Sequence, residues 1–328
     1  MHKICIVGAG AVGGYLGTRL AEAGVAQVSA LARGTTLSAL RDHGWRLIDD
    51  GATVSAPAAL ASDDPRALGP QDVLILAVKA PALAALAPIL GPLIGPETII
   101  LPAMNGVPWW FAHGLAALGD APLTSVDPGG AIAAALPLRQ VVGCVLHLSA
   151  FTSAPGISAV RTGRGLIIGE PDGTDSPRVR ELGRTLTRAG FDVTCSSRIR
   201  YEIWYKLWGN MTMNPISALT GADVGQVLSD PLLREFSSAA MREAALVGER
   251  IGCRVSESPE DRQQVTLKLG AFRTSMLQDV EASRPIELDA LVGAVREMAA
   301  RVGVATPMID ALFGLTRLFG RVRGIYTR

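Results

Sequence analysis

The stretch that most limits what this chain can fold into is its beginning. Ile4-Cys5-Ile6-Val7 reads as a short buried strand, and it runs directly into Gly8-Ala9-Gly10-Ala11-Val12-Gly13 and then a helical stretch reaching Gly24. Strand, G-x-G-x-x-G and helix in that order describe a βα unit whose turn is nearly bare backbone. Gly8 permits the tight turn, Gly10 lets the backbone approach a pyrophosphate, and Gly13 lets the helix pack closely on the strand. The backbone of Ala9, Ala11 and Val12 then leads into a helix N-terminus that can meet the phosphates. The pattern predicts that residues 8–13 bind a dinucleotide. The alternative is an ordinary βα turn with surplus glycine, in a chain that holds 36 glycines.

At roughly 150 residues per domain, 328 residues predict two domains. Strand-like runs at 26–32, 72–79 and 98–105 alternate with Ala/Leu-rich helical stretches, the pattern of a parallel sheet. Further runs at 141–148, 156–161 and 165–169, then a helix near 176–189, suggest that the sheet continues to about 192–194. Beyond that point only helical periodicity remains, near 199–214, 231–252, 259–282, 286–302 and 307–320. The fold expected is α/β: an N-terminal Rossmann-type parallel-sheet domain over 1–197 and an all-α C-terminal domain over 198–328. With no low-complexity linker between them, the two are expected to share a cleft.

Composition narrows the function. A net charge of +1 supplies no field to gather polyanions, so nucleic acid is not the expected partner. The four cysteines, Cys5, Cys144, Cys195 and Cys253, are far apart and form no C-x-x-C pair, which argues against a metal site and a disulfide framework. Four buried thiols in a reducing compartment are expected. Residues 2–18 begin basic and turn apolar, but their glycines make a poor signal helix. The apolar run 73–103 is broken by Lys79, Pro81, Pro88, Pro92 and Pro96, so no membrane span is expected. A soluble, cytoplasmic protein is the reading.

Several polar residues stand where a parallel sheet binds its ligands, beyond the carboxyl ends of its strands. The second strand ends at Arg33, with no carboxylate before Asp42 to accept from ribose hydroxyls. Arg33 offers a fork for the 2′-phosphate of NADP, so NADPH is preferred over NADH; the alternative is a solvated strand-end charge. Lys79 and Asn105 close two fully apolar strands, where the competing readings are a surface charge and an Asn-Gly turn. In the helical half, Lys206, Asn210 and Asn214 recur at i, i+4 and i+8, within about 80° of one another. Pro215 is expected to end that helix at Asn214. A solvated stripe is the alternative, but paired asparagines are poor helix formers with two-way hydrogen bonding. Ser275 begins Ser275-Met276-Leu277-Gln278-Asp279 on a later helix, and Glu287 falls in the first turn of the next, where the helix dipole alone would favour it.

Taken together, these residues resemble the ketopantoate reductase (2-dehydropantoate 2-reductase) family nearly end to end. The resemblance rests on Gly8-Ala9-Gly10-Ala11-Val12-Gly13-Gly14, Lys79, Asn105-Gly106, the Lys206, Asn210, Asn214-Pro215 helix, the Ser275 segment, Glu287 and Gly303-Val304-Ala305-Thr306-Pro307. It implies NADPH-dependent reduction of a branched 2-oxo acid, ketopantoate to pantoate, as in pantothenate biosynthesis. Lys206 matches the catalytic lysine. Asn210, Asn214 and Ser275 match substrate-binding positions, Asn105 one that touches cofactor and substrate, and Glu287 a cleft carboxylate near both.

The chain departs from the family where Val224 and Val292 stand at positions commonly held by asparagine. Losing an amide contact would weaken discrimination against analogues that lack a hydroxyl. Trp109-Trp110-Phe111 follows the Asn105 turn, and Trp204 and Trp208 flank Lys206. They read as interdomain packing or, alternatively, as a cleft wall for a bulkier branched or aromatic 2-oxo acid. A non-catalytic NADP-sensing protein is the reading from another class; it has no need of Lys206, Asn210, Ser275 and Glu287 together. Apolar helices of the second domain offer surfaces for a homodimer.

Overall fold

The structure is a computed structural model that describes residues 2–268 and 270–327. It forms two compact units, Met1–Asn105 with Ala131–Glu202 and Gly106–Gly130 with Ile203–Arg328.

The first unit runs β1 (Lys3–Val7), α1 (Ala11–Glu22), β2 (Gln27–Leu31), α2 (Gly34–His43), β3 (Trp45–Asp49), β4 (Ala52–Ala56), β5 (Ala61–Ser62), α3 (Pro65–Leu68), β6 (Gln71–Leu76), α4 (Ala80–Leu86) and β7 (Ile94–Pro102). It resumes with α5 (Ala131–Ala135), β8 (Gly143–Ala154), β9 (Ile157–Gly169), α6 (Pro177–Arg188) and β10 (Asp192–Cys195). Strands β5-β2-β1-β6-β7 form a wholly parallel sheet, as the alternating pattern predicts. Ile4, Cys5, Ile6, Val73, Leu74 and Ile75 are fully buried at its centre.

The sheet does not continue into the later strands. These form a second, mixed sheet, β10-β9-β3-β4, with β8 antiparallel to β9. The runs 156–161 and 165–169 are one strand, β9, whose register against β8 shifts twice near Ser149. Helix α1 packs against strands of both sheets. That explains its glycines: a Cβ at Gly17 would lie 2.5 Å from the Trp45 ring, and one at Gly14 would collide with Ser158 Oγ. Strand β10 is an edge of the second sheet and leaves Cys195 exposed, which corrects the expectation of four buried thiols; Cys5, Cys144 and Cys253 are buried.

In the second unit, α7 (Ile199–Thr220), which starts in the first, is followed by α8 (Val224–Ser229), α9 (Pro231–Arg250), α10 (Pro259–Leu267), α11 (Ser275–Glu281), a π turn at Asp289–Gly293 that continues as α12 (Ala294–Arg301), and α13 (Pro307–Val322). Pro215 does not end α7. It removes one amide from the ladder, but Ile216 beyond it packs with Met213, Val224, Val227, Leu228 and Leu312, and this burial carries the helix to Thr220. The stretch 259–282 is two helices, because Gly270 takes φ +80° and the Thr274 hydroxyl accepts from the Leu277 amide to start a new one. Residues 106–130, drawn from sequence as part of the sheet domain, pack within the helical unit. Glu297 of α12 accepts from the Thr124 and Ser125 amides, both at 2.8 Å, and Arg301 donates to the carbonyls of Leu118, Ala121 and Pro122. No helix of the described residues is long and apolar enough to cross a membrane.

Candidate active site

The glycine loop of the first unit shows a different constraint at each glycine. Gly8 takes φ +90°, its amide donates to the Leu31 carbonyl (3.0 Å), and a Cβ there would lie 2.5 Å from Val78. A Cβ at Gly13 would strike the Gly8 carbonyl, so this position holds the loop against the helix. At Gly10 an added Cβ would meet no heavy atom within 4 Å. Gly10 is also the N-cap of α1 and has no side chain to satisfy the leading amides, so those amides are available to an anion. A bare backbone with open approach and uncapped amides fits a dinucleotide pyrophosphate. Ser158 of β9 donates to the Gly10 carbonyl (3.1 Å) and braces the loop from the second sheet. Sequence reasoning missed Ser158, because nothing local links residues 148 positions apart.

Strand order places the switch point of the parallel sheet between β1, which leads to β2 on one side, and β6 on the other. Gly8, Arg33, Lys79 and Asn105 follow β1, β2, β6 and β7, so all four lie at the carboxyl ends. Arg33 is exposed and stands at the N-cap of α2; Lys79 is half-buried at the N-cap of α4; Asn105 is half-buried. Cys5, beneath the loop, is no nucleophile. Burial pushes its thiol up to about 12, opposed by a backbone hydrogen bond at Leu31.

In the second unit α7 carries the polar stripe. Lys206 and Asn210 are half-buried and Asn214 is buried, while Leu207, Trp208 and Met211 turn into the core. Helix α11 brings Ser275 to the end of that stripe, where Asn214 Nδ2 donates to Ser275 Oγ at 3.4 Å. Glu287, half-buried, stands just ahead of the π turn, and its carbonyl accepts the Leu291 amide (3.2 Å). A π turn inside a helix frequently marks a functional site. Here the Ala290 carbonyl accepts the Val107 amide (2.8 Å), and Gly106, at φ +81°, lies so close that a Cβ would stand 2.7 Å from that same oxygen. The turn that follows Asn105 is therefore seated on the helix that Glu287 leads.

A second anchor for Glu287 comes from the end of the chain. The Ile286 amide donates to the Ile325 carbonyl (3.0 Å), and the Tyr326 hydroxyl donates to Asp289 Oδ1 (2.9 Å). The tail arginines Arg317, Arg321 and Arg323 are exposed, and Arg328 lies outside the described residues.

The aromatic cluster is core of this unit. Phe111 stacks on Trp204 with centroids 6.3 Å apart and lies 6.4 Å from Trp110, and Trp208 Nε1 donates to the Met241 carbonyl (2.6 Å). Trp109, Trp110, Trp204 and Trp208 are at least 96% buried, so the cluster is packing and not an exposed wall. Val224 and Val292 are fully buried as well, so neither position presents a side chain to a ligand.

Two family models match the chain: ketopantoate reductase PanE/ApbA over residues 4–173, and its C-terminal domain over residues 198–319. A Mesorhizobium japonicum protein named 2-dehydropantoate 2-reductase is 41% identical over 326 residues, which is 99% of this chain and 100% of that protein. A ketopantoate reductase-like crystal structure from Ralstonia solanacearum MolK2 superposes with TM-score 0.93 at 52% identity, covering 99% of this chain and 100% of that one. D-mandelate dehydrogenase, solved with NADH and anilino(oxo)acetate, shares the fold at TM-score 0.84 and 20% identity, covering 98% and 99% of the two chains. The family is one of nicotinamide-dinucleotide-dependent oxidoreductases. With its glycine loop, its α7 stripe and both domains matched, this chain belongs to the ketopantoate reductase family.

Proposed function

We propose that this protein reduces 2-dehydropantoate to pantoate with NADPH. The observation that carries the reading is the α7 stripe, on which Lys206 and Asn210 lead to the Asn214–Ser275 pair. When bound, the reduced nicotinamide supplies the hydride. Lys206 donates a proton to the oxygen that becomes the alcohol, and its ammonium stabilises the charge developing there. Asn210, Asn214 and Ser275 bind the substrate's oxygens through neutral donors. Glu287 orients Lys206 or accepts from the substrate hydroxyl, and Asn105 bridges substrate and cofactor. The amides of residues 8–13 bind the pyrophosphate, Lys79 adds a charge at the sheet end, and Arg33 binds the 2′-phosphate.

A kinetic panel of ketopantoate against other branched and aromatic 2-oxo acids, run with NADPH and with NADH, tests the assignment. Ketopantoate with NADPH is expected to rank first, and Arg33→Ala to lower the NADPH preference by about 10- to 100-fold, the scale of a lost charged hydrogen bond. Another acid ranking well above ketopantoate would replace the substrate. An unchanged cofactor ratio in Arg33→Ala would remove Arg33 from cofactor choice. Failure to oxidise NADPH with any acid would favour a dinucleotide-sensing protein.

A further inference from the structure

We propose that Arg262 is the residue that binds the substrate's carboxylate. The proposal rests on the 2-oxo acid reading above and extends it, since a 2-oxo acid is anionic and the donors assigned so far beside its carboxylate, Asn210, Asn214 and Ser275, are neutral.

Helix α10 lays the Arg262 side chain along α7. Its Cζ lies 4.8 Å from the centroid of the Tyr205 ring, and a Cβ placed on Gly209 would stand 3.6 Å from both its Nε and its Nη2. Gly209 follows Lys206 by three residues and immediately precedes Asn210. Side chains three apart on a helix have Cβ atoms about 5–6 Å apart. On the helix Gly209 lies about 60° from Lys206, on the side away from Asn210, so the guanidinium borders the stripe at its Lys206 edge, at a point where α7 has no side chain to hold it away. Anything larger than Ala at position 209 would compete with it for that space.

Arg262 is also uncommitted in a chain that pairs its arginines freely. Arg178 holds Glu170, Arg301 holds Glu297, and Arg242 holds Glu235 and Glu260. Among the described residues the Arg262 side chain forms no ion pair or hydrogen bond, and its buried Nε has no partner. The nearby carboxylates are engaged elsewhere: Glu257 accepts from the Tyr205 hydroxyl at 2.6 Å, and Asp261 accepts from the Ser258 hydroxyl at 2.7 Å. A buried donor without a partner is costly in a folded protein unless something meets it. A guanidinium held on an aromatic face is pre-organised, permanently charged and shaped to bind a carboxylate with two parallel hydrogen bonds. With C1 of the substrate on Arg262, the adjacent C2 oxygen falls to Lys206, and the two asparagines are left for the remaining oxygens.

The test compares wild type, Arg262→Gln and Arg262→Lys on a 2-oxo acid and on its uncharged carboxamide, with NADPH affinity and thermal unfolding measured for each. Arg262→Gln is expected to raise KM for the acid about 10- to 100-fold, with kcat within a few-fold, unchanged NADPH affinity and unchanged kinetics on the carboxamide. Preference for acid over amide then falls by the same factor, and Arg262→Lys, which keeps the charge without the fork, recovers part of it. A folded Arg262→Gln or Arg262→Lys enzyme with wild-type preference for acid over amide overturns the proposal, as does an equal loss on acid and amide. Wild type that reduces no 2-oxo acid would instead remove the reading on which the proposal rests.

Discussion

The glycine loop after β1 does its work with six consecutive residues and almost no side chains, whereas the α7 stripe depends on side chains gathered from distant parts of the chain. In the loop each requirement is local: a positive φ at Gly8, open approach at Gly10, no Cβ at Gly13. Around α7, Ser275 arrives on α11, Arg262 on α10, Gly106 on a connection from the sheet, and Glu287 on a segment tied to Ile325 and Tyr326. A backbone site tolerates changes in its surroundings and fails on a single added methyl. A side-chain site loses function in steps, according to what each group touches.

The largest expected effect is at Lys206. Lys206→Ala should lower kcat by about 10²- to 10⁴-fold, the usual contribution of positioned proton transfer. Dinucleotide affinity, measured by fluorescence titration, should be unchanged, because the glycine loop binds through its own backbone amides. Near-normal turnover would remove Lys206 from the mechanism, and a parallel loss of dinucleotide affinity would break the contrast between the two regions.

The loop itself should separate stability from binding. Gly13→Ala drives a Cβ into the Gly8 carbonyl and should cost about 1–3 kcal/mol of stability along with dinucleotide affinity. At Gly10 the added methyl meets no protein atom, so Gly10→Ala should fold with near-wild-type Tm and still bind the dinucleotide poorly. Full affinity in Gly10→Ala would mean that the pyrophosphate does not approach that backbone.

The same contrast explains what could be read from sequence. The β1 loop was legible because its chemistry is contiguous, and the parallel sheet because its strands are apolar runs between helices. The hairpin of β3 and β4 was missed although its turn is Asp50-Gly51, both at positive φ (49° and 77°), a strong hairpin signal. Strand β3 buries Trp45 and Leu47, but Ile48 breaks its alternation after three residues, and β4 is mostly exposed and only weakly apolar. The partnership of 106–130 with the helical unit leaves no local trace; only the apolar Trp109-Trp110-Phe111 run hints that this connection needs a core to enter. Pro215 misled for the opposite reason, since a strong local rule was overruled by burial on the far side of it.

That connection offers a further prediction. Burial pushes the Glu297 carboxyl up, but hydrogen bonds from the Ser125 amide and hydroxyl, the Thr124 amide and Arg301 outweigh it and hold the group below the usual carboxylate range. A depressed carboxyl contributes stability that is present above the unfolded value of about 4.3 and is lost as pH falls through the lower folded value. Glu297→Gln should therefore cost about 2 kcal/mol at neutral pH, the scale of hydrogen bonds to a charged group. It should also flatten the fall in stability on acidification below about pH 5. Parallel denaturant midpoints for wild type and variant across that range would show that Glu297 does not hold residues 106–130 in place.

The smallest effect tests whether the chain terminus acts on the side-chain site through position alone. Tyr326→Phe removes one hydrogen bond to Asp289 and leaves the Ile286 to Ile325 bond intact, so stability should fall by about 1 kcal/mol. The matched change in the first unit, Tyr15→Phe, removes a bond to the Gly163 carbonyl (3.3 Å) at similar or smaller cost. If the glycine loop is held by backbone, Tyr15→Phe leaves dinucleotide affinity and kcat as they were. If Glu287 is held by side chains and the tail, Tyr326→Phe lowers kcat a few-fold and leaves dinucleotide affinity as it was. A Tyr326→Phe enzyme that loses stability but keeps its kcat would make the tail a brace for the fold and leave the positioning of Glu287 to the π turn.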